Sequence, residues 1–184
     1  YISLHMYFEN HEKNTAEFLA LPEKLDKYIG TVSGVIDYVK AKKRSKRDVK
    51  ISFDEWNVWY HEREEDARRM AEWDWPHAPR LLEDIYNFED VLQVGCILNT
   101  FIRRSDVVSI ACIAQLVNVI APIMTEPGGI SWRQTIYYPF KFASAHGRGT
   151  ALRLDVDCPT YDADVASNVK YLDIAGVHDG DAGT

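Results

Sequence analysis

Cysteine is scarce in this chain of 184 residues: there are three, Cys96, Cys112 and Cys158, with no Cys-x-x-Cys spacing among them. An odd, widely spaced set supports neither a disulfide framework nor a thiolate zinc site, and a reducing, cytoplasmic setting is the simplest reading. Long apolar runs are missing as well, so no segment reaches the roughly 20 residues needed to span a bilayer. There is no Asn-x-Ser/Thr sequon, and the chain begins without a basic n-region or a starting Met, so its N-terminus carries no targeting information. Positive charge is in deficit, with 21 Lys and Arg against 28 Asp and Glu for a net charge of -7. That balance argues against duplex DNA or an anionic membrane as the main partner. The six histidines are scattered without a His-x-x-x-His pair, and no Gly-x-Gly-x-x-Gly, P-loop or Gly-x-Ser-x-Gly string occurs. Metal, nucleotide and serine-hydrolase chemistries therefore lack their signatures, and no metal or cofactor is expected.

What is present is enough apolar material, 46% of residues, to fill one ordinary domain core. Residues 1–7, YISLHMY, alternate: Ile2, Leu4 and Met6 share one face and Tyr1, Ser3, His5 and Tyr7 the other, the pattern of a strand. Helical periodicity follows, with Thr15 as the expected cap and Pro22 and Gly30 as expected interruptions. The basic run from Lys42 to Arg47 falls at that helix's end, where cations are favoured by the macrodipole, and no aromatics interleave with it as a nucleic-acid patch would require. Residues 49–55 form a second expected strand, 61–80 a long polar loop, and 81–104 a helix. A third strand from Val107, VVSIACIAQL, is apolar on both faces, as in a parallel strand covered on both sides. Residues 131–149 are weakly helical, and from Ala151 the texture shifts to short alternating runs. A boundary near residue 150 then divides an α/β unit, 1–150, from the opening of a β domain, 151–184. The order β, α, β, α, β, α is the repeat of a doubly wound sheet or a (β/α)8 barrel.

In such barrels the catalytic groups stand at the C-terminal ends of strands. Glu55 shares parity with Val49, Ile51 and Phe53 and ends the second strand, Tyr7 ends the first, and Gln115 ends the third in phase with Ser109, Ala111 and Ile113. Behind Glu55, in the string VKISFDEWNVWY, come Trp56, Trp59 and Tyr60. A carboxylate to attack an anomeric carbon, a phenol hydrogen-bonded to it and an aromatic wall against a sugar are the parts of a glycosidase. A lone acid at a strand end more often caps the strand or pairs with an arginine.

The longer strings tip that balance. FDEWNVWYH, APRLLEDIYNFEDVLQVGCILNTFIRRSD and ACIAQLVNVIAPIMTEPGGISWRQTIYYPFKFAS together resemble the α-L-arabinofuranosidases of glycoside hydrolase family 51, and the resemblance runs from YISLHMY to YLDIAGV. It implies a partial (β/α)8 barrel, strands six to eight with their helices, followed by the start of a C-terminal β-sandwich. It implies Glu55 as the nucleophile of a retaining, exo-acting arabinofuranosidase. Tyr7 and His5 would stand beside Glu55, Gln115 would bind sugar, and Trp59 would line the pocket. The implied partners are arabinan, arabinoxylan or arabino-oligosaccharides, with a homo-oligomer for the full-length enzyme.

The family's second glutamate, the general acid/base that follows an Asn after strand four, has no counterpart in this chain. Glu9, Glu12, Glu83 and Glu126 sit in polar loop or helix-start contexts. The loop 61–80 is longer than the family pattern suggests and carries Trp73 and Trp75, either a platform for a glycan or anchors for the loop. Two rival readings stand beside the main one: another retaining glycosidase on the same barrel, and a non-catalytic piece serving in assembly or carbohydrate binding.

Overall fold

The computed structural model describes residues 1–180. The alternation at the start becomes strand β1 (Ile2–Phe8), with Leu4 and Phe8 buried and Ser3 and His5 exposed on the opposite face. Helix α1 (Thr15–Lys42) is capped by Asn14, one residue before the expected Thr15, whose side chain accepts from the Glu17 N–H. Neither Pro22 nor Gly30 interrupts it. A proline forfeits one backbone bond, and the tertiary burial of Phe18, Leu25 and Ile29 offsets that loss.

Strand β2 (Ile51–Val58) is followed by α2 (Arg63–Glu72), α3 (Phe88–Arg103) and β3 (Val108–Ile113). The three strands form one parallel sheet in the order β1-β2-β3. Helix α2 replaces part of the expected polar loop. It is polar all round and is held by the ion pairs Glu65–Arg68 and Glu65–Arg69 and by the bond from the Leu82 N–H to the Asp66 carboxylate at 2.6 Å. The helix expected over 81–104 starts only at Phe88, because Asn87 and Asp90 form a reciprocal capping box there.

Both α1 and α3 pack on one face of the sheet. Phe18, Leu25 and Ile29 from α1 and Val94, Ile97 and Phe101 from α3 share a core with Leu4, Phe8, Ile51, Phe53, Trp56 and Val58. Aromatic contacts tie this core together: Phe101 lies 5.2 Å from Phe53 and 5.4 Å from Trp56, ring centre to ring centre. The opposite sheet face is uncovered among the described residues. Strand β3 therefore departs from the expectation of two buried faces: Val108 is buried, but Ser109, Ile110 and Cys112 are exposed.

Strands β4 (Ile123–Thr125) and β5 (Ser131–Arg133) form an antiparallel pair, and α4 (Tyr137–His146) packs on α3. Beyond it come β6 (Thr150–Leu152), β7 (Thr160–Ala163), β8 (Ala166–Lys170) and β9 (Gly176–His178), paired antiparallel as β6 with β9 and β7 with β8. Gly149 enters β6 at φ +117, where a Cβ would collide with the His178 carbonyl. These strands rest on the helices: the Tyr161 hydroxyl donates to the Ala16 carbonyl at 3.1 Å, and Arg103 of α3 forms a two-point pair with Asp173 at 3.0 and 2.9 Å.

Candidate active site

The end of β2 does not run in simple alternation. Ile51 and Phe53 are buried on the helix side, and so is Trp56, three residues on, because the β2/β3 register shifts between Phe53 and Trp56. An irregularity of this kind places two successive residues out of phase and re-aims a side chain. Asp54 is exposed and Glu55 half-exposed as a result, and the expected common face of Glu55 with Ile51 and Phe53 is not what forms.

Glu55 instead meets the open face of β1. The Tyr7 hydroxyl donates to Glu55 Oε2 at 3.1 Å, and His5 Nδ1 lies 3.5 Å from the same oxygen. The Ser3 hydroxyl donates to Asp54 Oδ1 at 2.7 Å and lies 3.2 Å from His5 Nε2, so His5 sits between the two acids. The Ser3 bond is the chief cause that holds the Asp54 carboxyl below its usual range. Burial first, then the bond to Glu55 and its negative charge, push the Tyr7 phenol up to about 12. Tyr7 is thus a fixed neutral donor across the ordinary pH range.

Trp59 follows β2 and stands edge-on to Tyr7 with ring centres 5.4 Å apart, its outer side covered by the Arg63 guanidinium at 4.9 Å. Gln115 is exposed just past the end of β3, after a cis Ala114–Gln115 peptide. Ile113 pairs with Trp56 in the sheet, so Gln115 belongs to the same strand ends as Glu55, but it makes no hydrogen bond to Tyr7 or Glu55 among the described residues. Tyr7, His5, Glu55 and Trp59 form one connected cluster; Gln115 stands beside it.

Of the other acids weighed from the sequence, three are in ion pairs and Glu12 is exposed in the turn after β1. Glu9 pairs with Arg63, and Glu126 pairs with Arg80, which also lies 3.8 Å from Glu83. Trp73 ends α2, and Trp75 is 95% exposed.

A model of the α-L-arabinofuranosidase C-terminal domain matches residues 54–179. The chain belongs to that domain family, within glycoside hydrolase family 51. Among its arabinofuranosidase relatives is the intracellular exo-α-(1→5)-L-arabinofuranosidase of Halalkalibacterium halodurans, 53% identical over 178 residues that make up 97% of this chain and 35% of that protein. The intracellular exo-α-(1→5)-L-arabinofuranosidase 1 of Bacillus subtilis is 51% identical over 178 residues, with the same shares of 97% and 35%. A solved family 51 α-L-arabinofuranosidase from Bifidobacterium longum superposes with a TM-score of 0.89 at 36% identity, over 97% of this chain and 38% of that one. The chain therefore spans little more than a third of the length of these arabinofuranosidases.

Several residues that build this arabinofuranosidase-family site carried no signal readable beforehand. Buried Asp84 accepts the backbone N–H groups of Tyr60, His61 and Glu62, each at 3.1 Å, and so pins the turn that follows Trp59. His61 lies 2.8 Å from the buried Asp90 carboxylate. Asn57 holds the segment after β3 through the Ala114 and Ile120 carbonyls, and the Tyr86 hydroxyl beside it donates to the Val58 carbonyl at 3.0 Å. All of these lay inside the strings that carry the family resemblance, but nothing in those strings marked what each would hold.

Proposed function

We propose that this chain supplies the nucleophile half of a retaining, exo-acting α-L-arabinofuranosidase that removes terminal arabinofuranosyl units from arabinan, arabinoxylan or arabino-oligosaccharides. In this reading β1, β2 and β3 are the last three strands of a (β/α)8 barrel, residues 1–150 belong to that barrel, and residues 151–184 open a β-sandwich. The single observation that supports it most is the Tyr7–Glu55 bond at 3.1 Å beside His5 and Trp59, on a sheet face open to a ligand.

Glu55 attacks the anomeric carbon, the glycosidic C–O bond breaks, and the leaving oxygen takes a proton from a carboxylic acid outside the 184 residues. Water then attacks the glycosyl ester, giving up a proton to that same group, and arabinose leaves with its starting anomeric configuration. The Tyr7 hydroxyl fixes the orientation of the Glu55 carboxylate by occupying Oε2. Trp59 forms an apolar wall for the furanose ring, Gln115 bonds its hydroxyls, and His5 bridges Glu55 and Asp54. The relatives from H. halodurans and B. subtilis are named intracellular, and we place the enzyme in the cytoplasm on that basis.

The test gives the full polypeptide that carries this chain a panel of aryl glycosides and follows the first-formed sugar by proton NMR. Preferred cleavage of the α-L-arabinofuranoside with retained configuration is expected. Preference for a pyranoside, or an inverted product, would overturn the reading.

A further inference from the structure

One side chain joins the strand that carries Glu55 to the loop that carries Gln115. Asn57 lies two residues beyond Glu55 in β2 and is fully buried. Strand β3 leaves the sheet at this level: the Ala114 N–H still bonds the Trp56 carbonyl at 3.1 Å, and there the Asn57 side chain takes over. Its Nδ2 donates to the Ala114 carbonyl at 3.0 Å and to the Ile120 carbonyl at 2.5 Å, with the Tyr86 hydroxyl 3.3 Å away. Its Oδ1 accepts from the Val58 N–H at 2.8 Å.

An amide nitrogen has two hydrogens, and its two shorter contacts here are the carbonyls at the two ends of the loop 114–120. Gln115 is the first residue inside that hoop. The far end is conformationally unusual: Asn118 has φ +65 and the β-branched Ile120 has φ +39. A β-branched residue adopts such a conformation only where its surroundings over-determine it. Asn57 grips the Ile120 carbonyl, and the Ile120 N–H donates to the Leu82 carbonyl at 2.6 Å.

We propose that Asn57 is a positioning residue for sugar binding: by holding both ends of the loop 114–120 it sets where Gln115 meets the arabinofuranosyl ring. The inference rests on the arabinofuranosidase reading above and adds to it a residue that touches no substrate. A buried asparagine that merely satisfied the core would cost stability when replaced, and its effect would be indifferent to Gln115. A positioning residue acts through Gln115, so its effect vanishes once that side chain is gone.

The experiment is a double-mutant cycle in the full polypeptide, reading kcat and KM on 4-nitrophenyl α-L-arabinofuranoside for the parent, Asn57→Asp, Gln115→Ala and the double variant. Asn57→Asp replaces the donor with a carboxylate oxygen facing two carbonyls and is expected to lower kcat/KM about tenfold in the parent, mainly through KM, and less than about twofold in the Gln115→Ala background. Equal losses in both backgrounds overturn the inference while leaving the arabinofuranosidase reading intact. A parent with no activity on the arabinofuranoside overturns that reading and this inference with it. If Asn57→Asp does not fold, Asn57→Ala removes the donor without setting a charge against the carbonyls and carries the same cycle.

Discussion

Tyr7 donates its hydroxyl to Glu55 across two adjacent parallel strands, at 3.1 Å, and that one bond joins the first strand of the chain to the acid at the end of the second. Replacing Tyr7 with Phe keeps the ring against Trp59 and removes only the donor. A hydrogen bond to a charged group is worth about 1.5–3 kcal/mol, so kcat/KM of the full polypeptide is expected to fall on the order of tenfold to a hundredfold. Because the phenol titrates at about 12, the pH-rate profile keeps its shape through the neutral range and only its height drops. The same raised value means that Tyr7's contribution to stability is intact below its usual 10 and is lost as pH rises through about 12. Thermal melts of Tyr7→Phe should lack that part of the alkaline loss.

His61 supplies a second pH dependence. Burial by itself lowers the imidazole's affinity for a proton, but the bond to Asp90 and the charges of Asp90, Asp84 and Glu62 outweigh it and raise the value above 6.5. A raised folded-state value stabilises the protein fully below pH 6.5 and ceases to do so as pH climbs through the higher folded-state value. Melting temperatures should therefore fall from mildly acid to mildly alkaline pH, and His61→Gln should flatten that slope. An unchanged slope in the variant would assign it to other groups.

Asp84 is expected to be the most costly single acid to remove. It is fully buried and accepts three backbone N–H groups from residues 60–62, so Asp84→Ala leaves those donors without an acceptor. A cost of about 3 kcal/mol follows from the price of buried, unsatisfied donors. Chemical denaturation at neutral pH checks it, and a change under about 0.5 kcal/mol, the level of an ordinary surface site, would show that water replaces the carboxylate without loss.

Arg103 joins α3 to the strands that follow residue 150 through its two-point pair with Asp173, which also accepts from Asn99 at 2.7 Å. The pair is partly exposed, so its loss should cost no more than about 1 kcal/mol overall. The local effect should be larger. Hydrogen exchange in residues 150–178 is expected to speed up in Arg103→Ala while β1 and β2 stay protected, and uniform exchange across both regions would contradict this.

The first strand was legible from residue type because alternation has one physical reading: of the expected apolar row Ile2, Leu4 and Met6, Leu4 is buried against the helices and Met6 partly so, Ile2 at the strand's start is exposed, and Ser3 and His5 point away. Tyr7, Glu55 and Trp59 do meet, yet the parity argument that led to Glu55 was wrong, since the register shift between Phe53 and Trp56 turns it away from Ile51 and Phe53. Nothing in a list of residues marks such a shift. Helix α2 was hidden because a helix held by ion pairs shows no apolar stripe. Pro22 signals a break on local grounds, and burial of the residues around it overrides that signal. The work of Asn57 and Asp84 depends on which carbonyls and N–H groups the finished fold brings to them, and that is a property of tertiary structure alone.

The most direct measurement on the central claim is the identity of the residue that becomes glycosylated. The full polypeptide is incubated with a 2-deoxy-2-fluoro-α-L-arabinofuranosyl donor that bears a good leaving group, digested, and its peptides sequenced by mass spectrometry. One fluoro-arabinosyl adduct is expected, on Glu55, and none in Glu55→Ala. An adduct on any other carboxylate, with Glu55 unmodified, would contradict it.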